Sequence, residues 1–590
     1  MKHKINQNTL GWLYRVSGKE KWNVVFLILV QAFLGLSTVG FVWLLRGSID
    51  CAVDKKKEGF LFYVTAMVLV IVLQLLANAV RRFLDEYAKS GMENCFKTRL
   101  FQQLLLRDYA HVTAIHSGEW MNRLTSDVLV VAEGMTVILP DVIGLSVKLA
   151  GAVVALLVLM PKLGYFIIPG GMFLLVFSTV SRRVLKRLHI GIQEADGRLR
   201  VHLSERLASL LVVRTFAREE QTLKEAEVQM QIHRNARMKR NRFSIFCNVG
   251  FSFVMNVVYM LGVLYCGYGI LLGTVSYGSF TAVLQLIGQV QTPFASLSSY
   301  LPKFYAMLAS AERLMEAEAF EVINTEAMLE LNQIKNFYNN DFSAIGFCDV
   351  NFTYLPPVLE KEQNKPVMPM VLKNLNLKVY KGECVAFTGA SGSGKSTALK
   401  ILMGLYTPDS GSRFVETEFE RTSESVSEKC TGVMFPIDAR YTRLFAYVPQ
   451  GNHLMSGTIR DIVTFSEQEK IGKEREIRQA LEIACAWEFV EELPEGMDTK
   501  LGERGTGLSE GQIQRLAIAR AVYAGNPILV LDEATSALDE ATERRLLENL
   551  CRMTERTILL VTHRPAALEL CNRQVIFGEN EIEVIKHGIR

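Results

Sequence analysis

Six apolar stretches in the first half of the chain limit what it can fold into. They run Trp22 to Leu45, Phe60 to Val80, Val137 to Met160, Leu163 to Val180, Phe243 to Leu272 and Phe280 to Leu301, the last two less uniformly apolar. A bilayer core about 30 Å thick takes roughly 20 residues of helix, and each stretch is about that long. A single run of this kind can be a buried helix of a soluble protein, but six in close succession point to a membrane. In lipid, backbone N–H and C=O groups have to be satisfied within the segment, so the reading is a membrane bundle of six α-helices.

Basic residues orient the bundle. Arg81 and Arg82 follow the second run, Arg182, Arg183, Lys186 and Arg187 follow the fourth, and Lys239, Arg240 and Arg242 precede the fifth. Those ends are cytoplasmic, and so is the amino terminus. Lys55, Lys56 and Lys57 in the first outer loop run against the rule, partly balanced by Asp50, Asp54 and Glu58. The segment before the first run carries Lys2, Lys4, Arg15, Lys19 and Lys21 with no small-residue cleavage site, so a retained anchor is expected, not a signal peptide. Residues 81–136 and 181–242 are polar with heptad-like apolar spacing and read as helices projecting into the cytoplasm. The expected organisation is a transmembrane domain over 1–314, a polar linker over 315–343 and an α/β domain over 344–590, where period-two strands alternate with helices.

A net charge of +4 on 590 residues gives no reason to expect nucleic acid as a partner. The ten cysteines include no CxxC pair and no Cys/His cluster, which argues against zinc and a disulfide framework and suits a reducing cytoplasm.

Within the α/β region, the strand-like run Cys384 to Thr388 leads into Gly389-Ala390-Ser391-Gly392-Ser393-Gly394-Lys395-Ser396, and a helical pattern starts at Thr397. This is a P-loop. Its glycines let backbone N–H groups close on phosphates at a helix amino terminus, Lys395 reaches the β and γ phosphates, and the Ser396 hydroxyl ligates Mg²⁺. A second apolar strand, Ile528 to Leu531, ends in Asp532-Glu533. Asp532 would hold Mg²⁺ and Glu533 would polarise the attacking water.

Between them lies Leu508-Ser509-Glu510-Gly511-Gln512. Together with the P-loop, Asp532-Glu533, Ser536-Ala537-Leu538-Asp539 and His563, it resembles the nucleotide-binding domain of the ATP-binding cassette (ABC) superfamily, in order and spacing throughout residues 345–588. With six spans ahead of it, the chain is similar to the exporter-type half-transporters, which hydrolyse MgATP to move a solute across a membrane. The resemblance implies further roles. Tyr354 stacks on adenine, Gln450 touches Mg²⁺ and senses the membrane domain, His563 contacts the γ phosphate, and Asp539 and the segment Leu508 to Gln512 belong to the nucleotide site. It also implies that two cassettes pair head to tail, so the partner is a second half-transporter, as homodimer or heterodimer. By weaker patterns, residues 116–128 and 205–219 look like the segments around two coupling helices.

Ser509 and Gln512 form a capping box, which opens a helix with its positive dipole end exposed. Glu510 departs from the family's usual glycine and is expected to point outward. Leu355 to Met370 and roughly Glu416 to Tyr441 are insertions, expected to be surface loops. In the sixth span Gln285, Gln289, Thr292, Ser296 and Ser299 share one face, bordering either a translocation cavity or a neighbouring helix. Lys148, about 18 Å from the outer end of the third span, is expected deep in the bilayer. The leading reading is an exporter working by alternating access. An importer of metal chelates on the same fold and an ATP-gated channel are the rivals, and the six spans exclude a soluble cassette acting on ribosomes or DNA.

Overall fold

The computed structural model describes residues 2–115, 117–161, 164–320, 322, 328–354, 368–417, 433–451, 454–465, 473–502, 505, 507–578 and 582–586. The chain forms two compact units, one of Met1–Leu100 with Asn122–Met315, the other of Phe101–Met121 with Glu316–Arg590.

The first part of the chain is helical: α1 (Lys2–Val16), α2 (Lys21–Val53), α3 (Lys57–Leu106), α4 (Tyr109–Thr113), α5 (Ser117–Leu159), α6 (Gly164–Ala208), α7 (Leu210–Thr215), α8 (Glu219–Leu271) and α9 (Tyr277–Glu316). Among the described residues α2, α3, α5 and α8 are long and apolar enough to cross a membrane. The backbone of α6 covers nearly all of the expected fourth span and that of α9 the sixth, while Leu163 and the side chains of residues 164–180 and 292–299 lie outside the described residues. Helices α3 and α8 have 50 and 53 residues. At 1.5 Å per residue each is about 75–80 Å long, more than twice the bilayer core, so both extend well beyond it. Phe62, Leu69 and Leu76 of α3 are exposed, as a lipid-facing helix requires.

Small residues bring α2 and α5 together. A Cβ on Gly35 would lie 2.9 Å from the Gly144 carbonyl oxygen, and one on Gly144 would lie 2.9 Å from Gln31 Cβ. Close backbone approach of this kind is how helices associate where lipid removes the hydrophobic drive. Lys148 sits beside Gly35 in this interface, half-buried. The turns between α2 and α3 and between α8 and α9 share one end of the bundle: Asp50 accepts from Gly278 N at 2.9 Å and from Ser276 Oγ at 3.0 Å. In the exceptional lysine run, Lys56 pairs with Asp54 at 3.1 Å. On the polar stripe, Gln289 Nε2 donates to the Thr38 carbonyl at 3.0 Å, a contact between helices. The side chains of Thr292, Ser296 and Ser299 lie outside the described residues. In α5, π-type turns occupy Arg123–Asp127 and Gly134–Ile138. The first turns Asp127 inward, where it accepts from Arg313 Nε at 2.7 Å and Ser310 Oγ at 2.9 Å of α9, and Arg123 donates to the Arg313 carbonyl at 2.9 Å.

The second unit is α/β. Helix α10 (Leu331–Asn340) lies inside the stretch read as a polar linker, and Ile334 and Tyr338 on one of its faces are buried in the core. Strands β1 (Phe342–Thr353), β2 (Met370–Tyr380), β4 (Ser410–Thr417) and β5 (Val433–Pro436) form an antiparallel sheet in the order β2-β1-β4-β5. Strand β3 (Cys384–Gly389) belongs to the main sheet with β6 (Phe445–Val448), β9 (Ile528–Asp532), β10 (Thr557–Val561), β11 (Arg573–Phe577) and β12 (Ile582–Lys586), in the order β12-β11-β3-β10-β9-β6, parallel except for β12. A short ribbon pairs β7 (Gly457–Thr458) with β8 (Lys500–Leu501). Helices α11 (Lys395–Leu402), α12 (Glu510–Tyr523) and α13 (Glu540–Cys551) follow β3, precede β9 and follow β9. Strands β9 and β10 are buried on both faces: Val530 and Leu559 point into one core with Phe387 and Leu399, and Leu531 and Leu560 into another with Leu516 and Leu546. That is why they are continuous apolar runs instead of alternating ones.

The second insertion is not all loop, contrary to the expectation for residues 416–441. Glu416 and Thr417 end β4, Val433–Pro436 pairs with β4 as an added antiparallel strand, and Ala439–Leu444 is a 3-10 turn. The free edge of β4 supplies the unpaired N–H and C=O groups that a short apolar run can satisfy. Residues 355–367 of the first insertion and 418–432 of the second lie outside the described residues.

Residues 101–121 belong to the same unit. Tyr109 packs against Tyr406 with ring centroids 5.9 Å apart, and Phe320 meets His111 and Trp120 at 5.4 and 6.4 Å. Of the segment expected to adjoin the first coupling helix, His116 lies outside the described residues.

Candidate functional site

The loop from Gly389 to Gly394 is shaped by backbone positions that exclude side chains. Gly389, Gly392 and Gly394 have φ of 131°, 83° and 95°, and a Cβ on Gly389 would lie 2.3 Å from the Phe577 carbonyl oxygen. Glycine alone adopts these angles without strain. With Gly394 as its N-cap, α11 begins at Lys395, so the N–H groups of Lys395, Ser396 and Thr397 open toward the loop without intrahelical partners. The Lys395 side chain is 5% exposed and its amine donates to the Gly389 and Ala390 carbonyls at 2.9 and 2.8 Å. Burial lowers its pKa, while the Glu533 and Asp532 carboxylates pull it back up. A desolvated cation thus stands on two loop carbonyls within the field of two acids.

Those acids close the other side. Ser396 Oγ donates to Asp532 Oδ1 at 2.8 Å and Tyr447 OH to Asp532 Oδ2 at 3.1 Å, so the 1%-exposed Asp532 has both oxygens occupied. Burial first, then the Asp532 charge, pushes the Tyr447 phenol well above its ordinary pKa and keeps it a donor. Glu533 takes a left-handed backbone, φ 51°, with its N–H donating to the Val561 carbonyl at 3.2 Å. Such a conformation is unusual for a residue with a Cβ and marks a site where position is held at a cost. Gln450 Nε2 donates to Glu533 Oε2 at 2.6 Å. Lys395, Ser396, Asp532, Glu533 and Gln450, separated widely in sequence, are therefore brought together. Tyr447 carries no motif signal of its own and escaped the sequence reading.

The capping box forms as its spacing dictates: Gln512 N donates to Ser509 Oγ at 3.3 Å and Ser509 N to Gln512 Oε1 at 2.8 Å. Glu510, the first residue of α12, is exposed. A Cβ on Gly511 would lie 3.0 Å from the Ala537 carbonyl, so the following turn packs against this helix start. Gln514 fixes that turn, donating to Ser536 Oγ at 3.1 Å and accepting from Ala537 N at 3.0 Å. Arg564 grips it from the other side through the Ser536 and Leu538 carbonyls, both at 2.6 Å, and pairs with the fully buried Glu543 at 3.0 Å, which also accepts from Thr535 at 2.6 Å. Gln514 and Arg564 were not expected; a polar residue on an otherwise buried helix face was the available signal for the first. Arg564→Met leaves the Glu543 carboxylate buried without its cation, and we expect a loss of about 3 kcal/mol in cassette stability, read from urea midpoints.

The remaining expected residues are placed as follows. Tyr354 is half-buried, its hydroxyl 2.7 Å from Thr397 Oγ1 and its ring edge-on to Phe352 and Tyr406 at 5.1 and 5.5 Å. Asp539 is the N-cap of α13, accepting from Thr542 N at 3.0 Å, a bond that lowers its pKa. His563 is exposed just beyond β10.

Two family models match the chain: the ABC transporter transmembrane region over residues 24–294, and ABC transporter over residues 372–536. Among curated proteins, the chain is 28% identical over 526 residues to ABC transporter B family member 1 of Dictyostelium discoideum, covering 88% of this chain and 54% of that protein, so it spans about half of that relative. It is 28% identical over 594 residues to the ATP-dependent lipid A-core flippase of Pasteurella multocida (strain Pm70), covering 98% of this chain and 94% of that one. Among solved structures, a bacterial Atm1-family ABC exporter with ATP bound matches with a TM-score of 0.76 and 21% identity, over 96% of this chain and 95% of the other, a likeness of fold. With the membrane region and the cassette of one family fused in a single polypeptide, the chain belongs to the ABC transporters, membrane proteins whose ATP hydrolysis drives transport.

Proposed function

We propose that two six-span chains pair with their cassettes head to tail, that each ATP lies between one chain's P-loop and the other's Ser509 to Gln512, and that hydrolysis drives export. The observation that carries this reading is the division of the site: Lys395, Asp532 and Glu533 converge on one set of contacts, while the exposed, capped start of α12 offers a second anion-binding end. In this arrangement Gly389 to Thr397 hold the phosphates, Glu533 takes the proton of the attacking water, Gln450 orients Glu533, His563 reaches the γ phosphate, Tyr354 meets adenine, and Asp539 with Leu508 to Gln512 completes the partner's site. The Ser396 hydroxyl and Asp532 carboxylate, 2.8 Å apart, are hard oxygen donors of the kind Mg²⁺ takes alongside phosphate oxygens, and Gln450 adds an amide nearby. When bound, the ion neutralises charge developing on the phosphates. The basic residues flanking the spans support a cytoplasmic cassette, and the flippase and exporter names of the relatives support outward transport. Vesicle assays separate an exporter from a channel, because a pump builds a gradient of solute.

Mixed dimers test the composite site. Lys395→Met and Ser509→Arg each disable both sites of a dimer of identical chains. In a mixed dimer both lesions fall in one site and the other is intact, so ATP hydrolysis returns on mixing and reassembly. If the mixture stays as inactive as either parent, the site is not shared between chains.

Glu510 tunes this interface. A carboxylate in the first turn of a helix is worth about 0.3–1 kcal/mol to the helix but opposes a triphosphate approaching it. Glu510→Gly is expected to raise ATP turnover by about two- to fivefold, about 0.5–1 kcal/mol in the barrier. Unchanged or lower turnover in a steady-state assay removes this role.

A further inference from the structure

Three thiols meet in the core of the cassette, away from the phosphate loop. Cys384 Sγ lies 3.3 Å from Cys571 Sγ and 3.6 Å from Cys551 Sγ. Cys384 is the first residue of β3, Cys571 precedes β11, and Cys551 ends α13. Backbone bonds lock the first two side by side: Asn572 N donates to the Cys384 carbonyl at 2.9 Å, and Cys384 N to Asn572 Oδ1 at 2.7 Å. Cys384 and Cys571 are buried, whereas Cys551 is half-buried and so the most accessible of the three. Among the described residues no group of His, Cys, Asp or Glu has a metal-holding arrangement.

We propose that this cluster is a peroxide-driven disulfide site that slows ATP turnover by tethering α13 to the strand that feeds the P-loop. A disulfide needs its sulfurs about 2.05 Å apart, so the Cys551 pair must close by about 1.5 Å, within reach of a helix end. The Cys551 thiolate attacks one oxygen of a hydroperoxide; the O–O bond breaks, and the leaving oxygen departs as water or alcohol after taking a proton. Cys551 becomes a sulfenic acid. The Cys384 sulfur then attacks Cys551, the S–O bond breaks, and hydroxide leaves as water with the Cys384 proton. Two thiols have lost two electrons and two protons, and the peroxide has been reduced. Cys571 can next attack Cys384, passing the bond inward and releasing Cys551 as thiolate. The direction of the relay agrees with the ionisation pattern. The contact with Cys384 lowers the Cys551 pKa, and the contacts with Cys551 and Cys571 raise that of Cys384, which keeps its proton.

The Cys384–Cys551 bond is the one that joins α13 to β3, and passing it to Cys571 frees α13 again. Strand β3 runs from Cys384 to Gly389, the first residue of the phosphate loop, and α13 is capped by Asp539 and ends at Cys551. The test uses the full chain in lipid nanodiscs treated with hydrogen peroxide, mapped by non-reducing peptide mass spectrometry and assayed for ATP hydrolysis. We expect peptides joined from Cys384 to Cys551 with turnover lower by about threefold or more, and relief of the slowing as the bond passes to Cys571. A thiol reductant should reverse both. Cys551→Ser should prevent both changes while leaving basal turnover intact, and Cys571→Ala should leave the Cys384–Cys551 bond as the product. Oxidation confined to the exposed Cys348 overturns the site. A Cys384–Cys571 bond in Cys551→Ser overturns the entry role, and a full Cys384–Cys551 disulfide in Cys571→Ala with unchanged turnover overturns the tether.

Discussion

Glu533→Gln is expected to cut steady-state ATP hydrolysis by about 10²- to 10³-fold, within the usual contribution of a positioned general base, while ATP affinity is retained. The substitution preserves volume and an oxygen for the Gln450 contact at 2.6 Å, and it leaves in place the N–H bond of residue 533 to the Val561 carbonyl. What is lost is the basic oxygen. Because ATP then stays bound, the variant should accumulate as an ATP-dependent cassette dimer, visible by chemical crosslinking across the interface. Turnover within about tenfold of the parent, with binding unchanged, rules Glu533 out as the base.

Lys395→Met is expected to weaken ATP binding by about 100-fold, corresponding to about 3 kcal/mol for a charge-assisted contact in a desolvated site. The amine is held by the Gly389 and Ala390 carbonyls and feels the charges of both acids. Methionine keeps the apolar stem that fills the core beside α11 and removes a charge whose burial was unfavourable in the free protein, so thermal unfolding without nucleotide should change little. A nucleotide-binding titration beside a melting curve separates the two effects. If the variant binds ATP normally, or loses binding only because it melts early, Lys395 is not the phosphate ligand.

Much of the cassette is legible in the chain because its chemistry is local. The P-loop needs glycine at φ 131°, 83° and 95°, and only a glycine-rich run can supply that, so Gly389, Gly392 and Gly394 declare the loop without any fold. The capping box at Ser509 and Gln512 is likewise a matter of three-residue spacing, and the structure forms it. The mostly helical first part followed by an α/β domain follows from apolar run length and strand period in the same way.

Other features depend on partners that spacing does not reveal. Tyr447 acquires its role from Asp532, 85 residues away, and Arg564 from carbonyls of residues 536 and 538 and from Glu543. Val433–Pro436 reads as part of a polar insertion because it is short, and it becomes a strand only because β4 leaves an edge open. Helix α10 was hidden within a polar stretch, since two buried residues, Ile334 and Tyr338, are too few to stand out in sequence.

The sequence by itself determined the two solvents in which this chain lives, the phosphate loop, and the acid pair that faces it, because run length, glycine placement and strand-end carboxylates act over a few residues. Only the tertiary structure decided what each side chain does there: that Ser396 and Tyr447 share Asp532, that Gln450 holds Glu533, that Lys148 packs beside Gly35, and that three cysteines with no common motif touch in one core. Those facts are distances between segments far apart in the chain, and a distance of that kind exists only once the hydrophobic faces have been buried against one another.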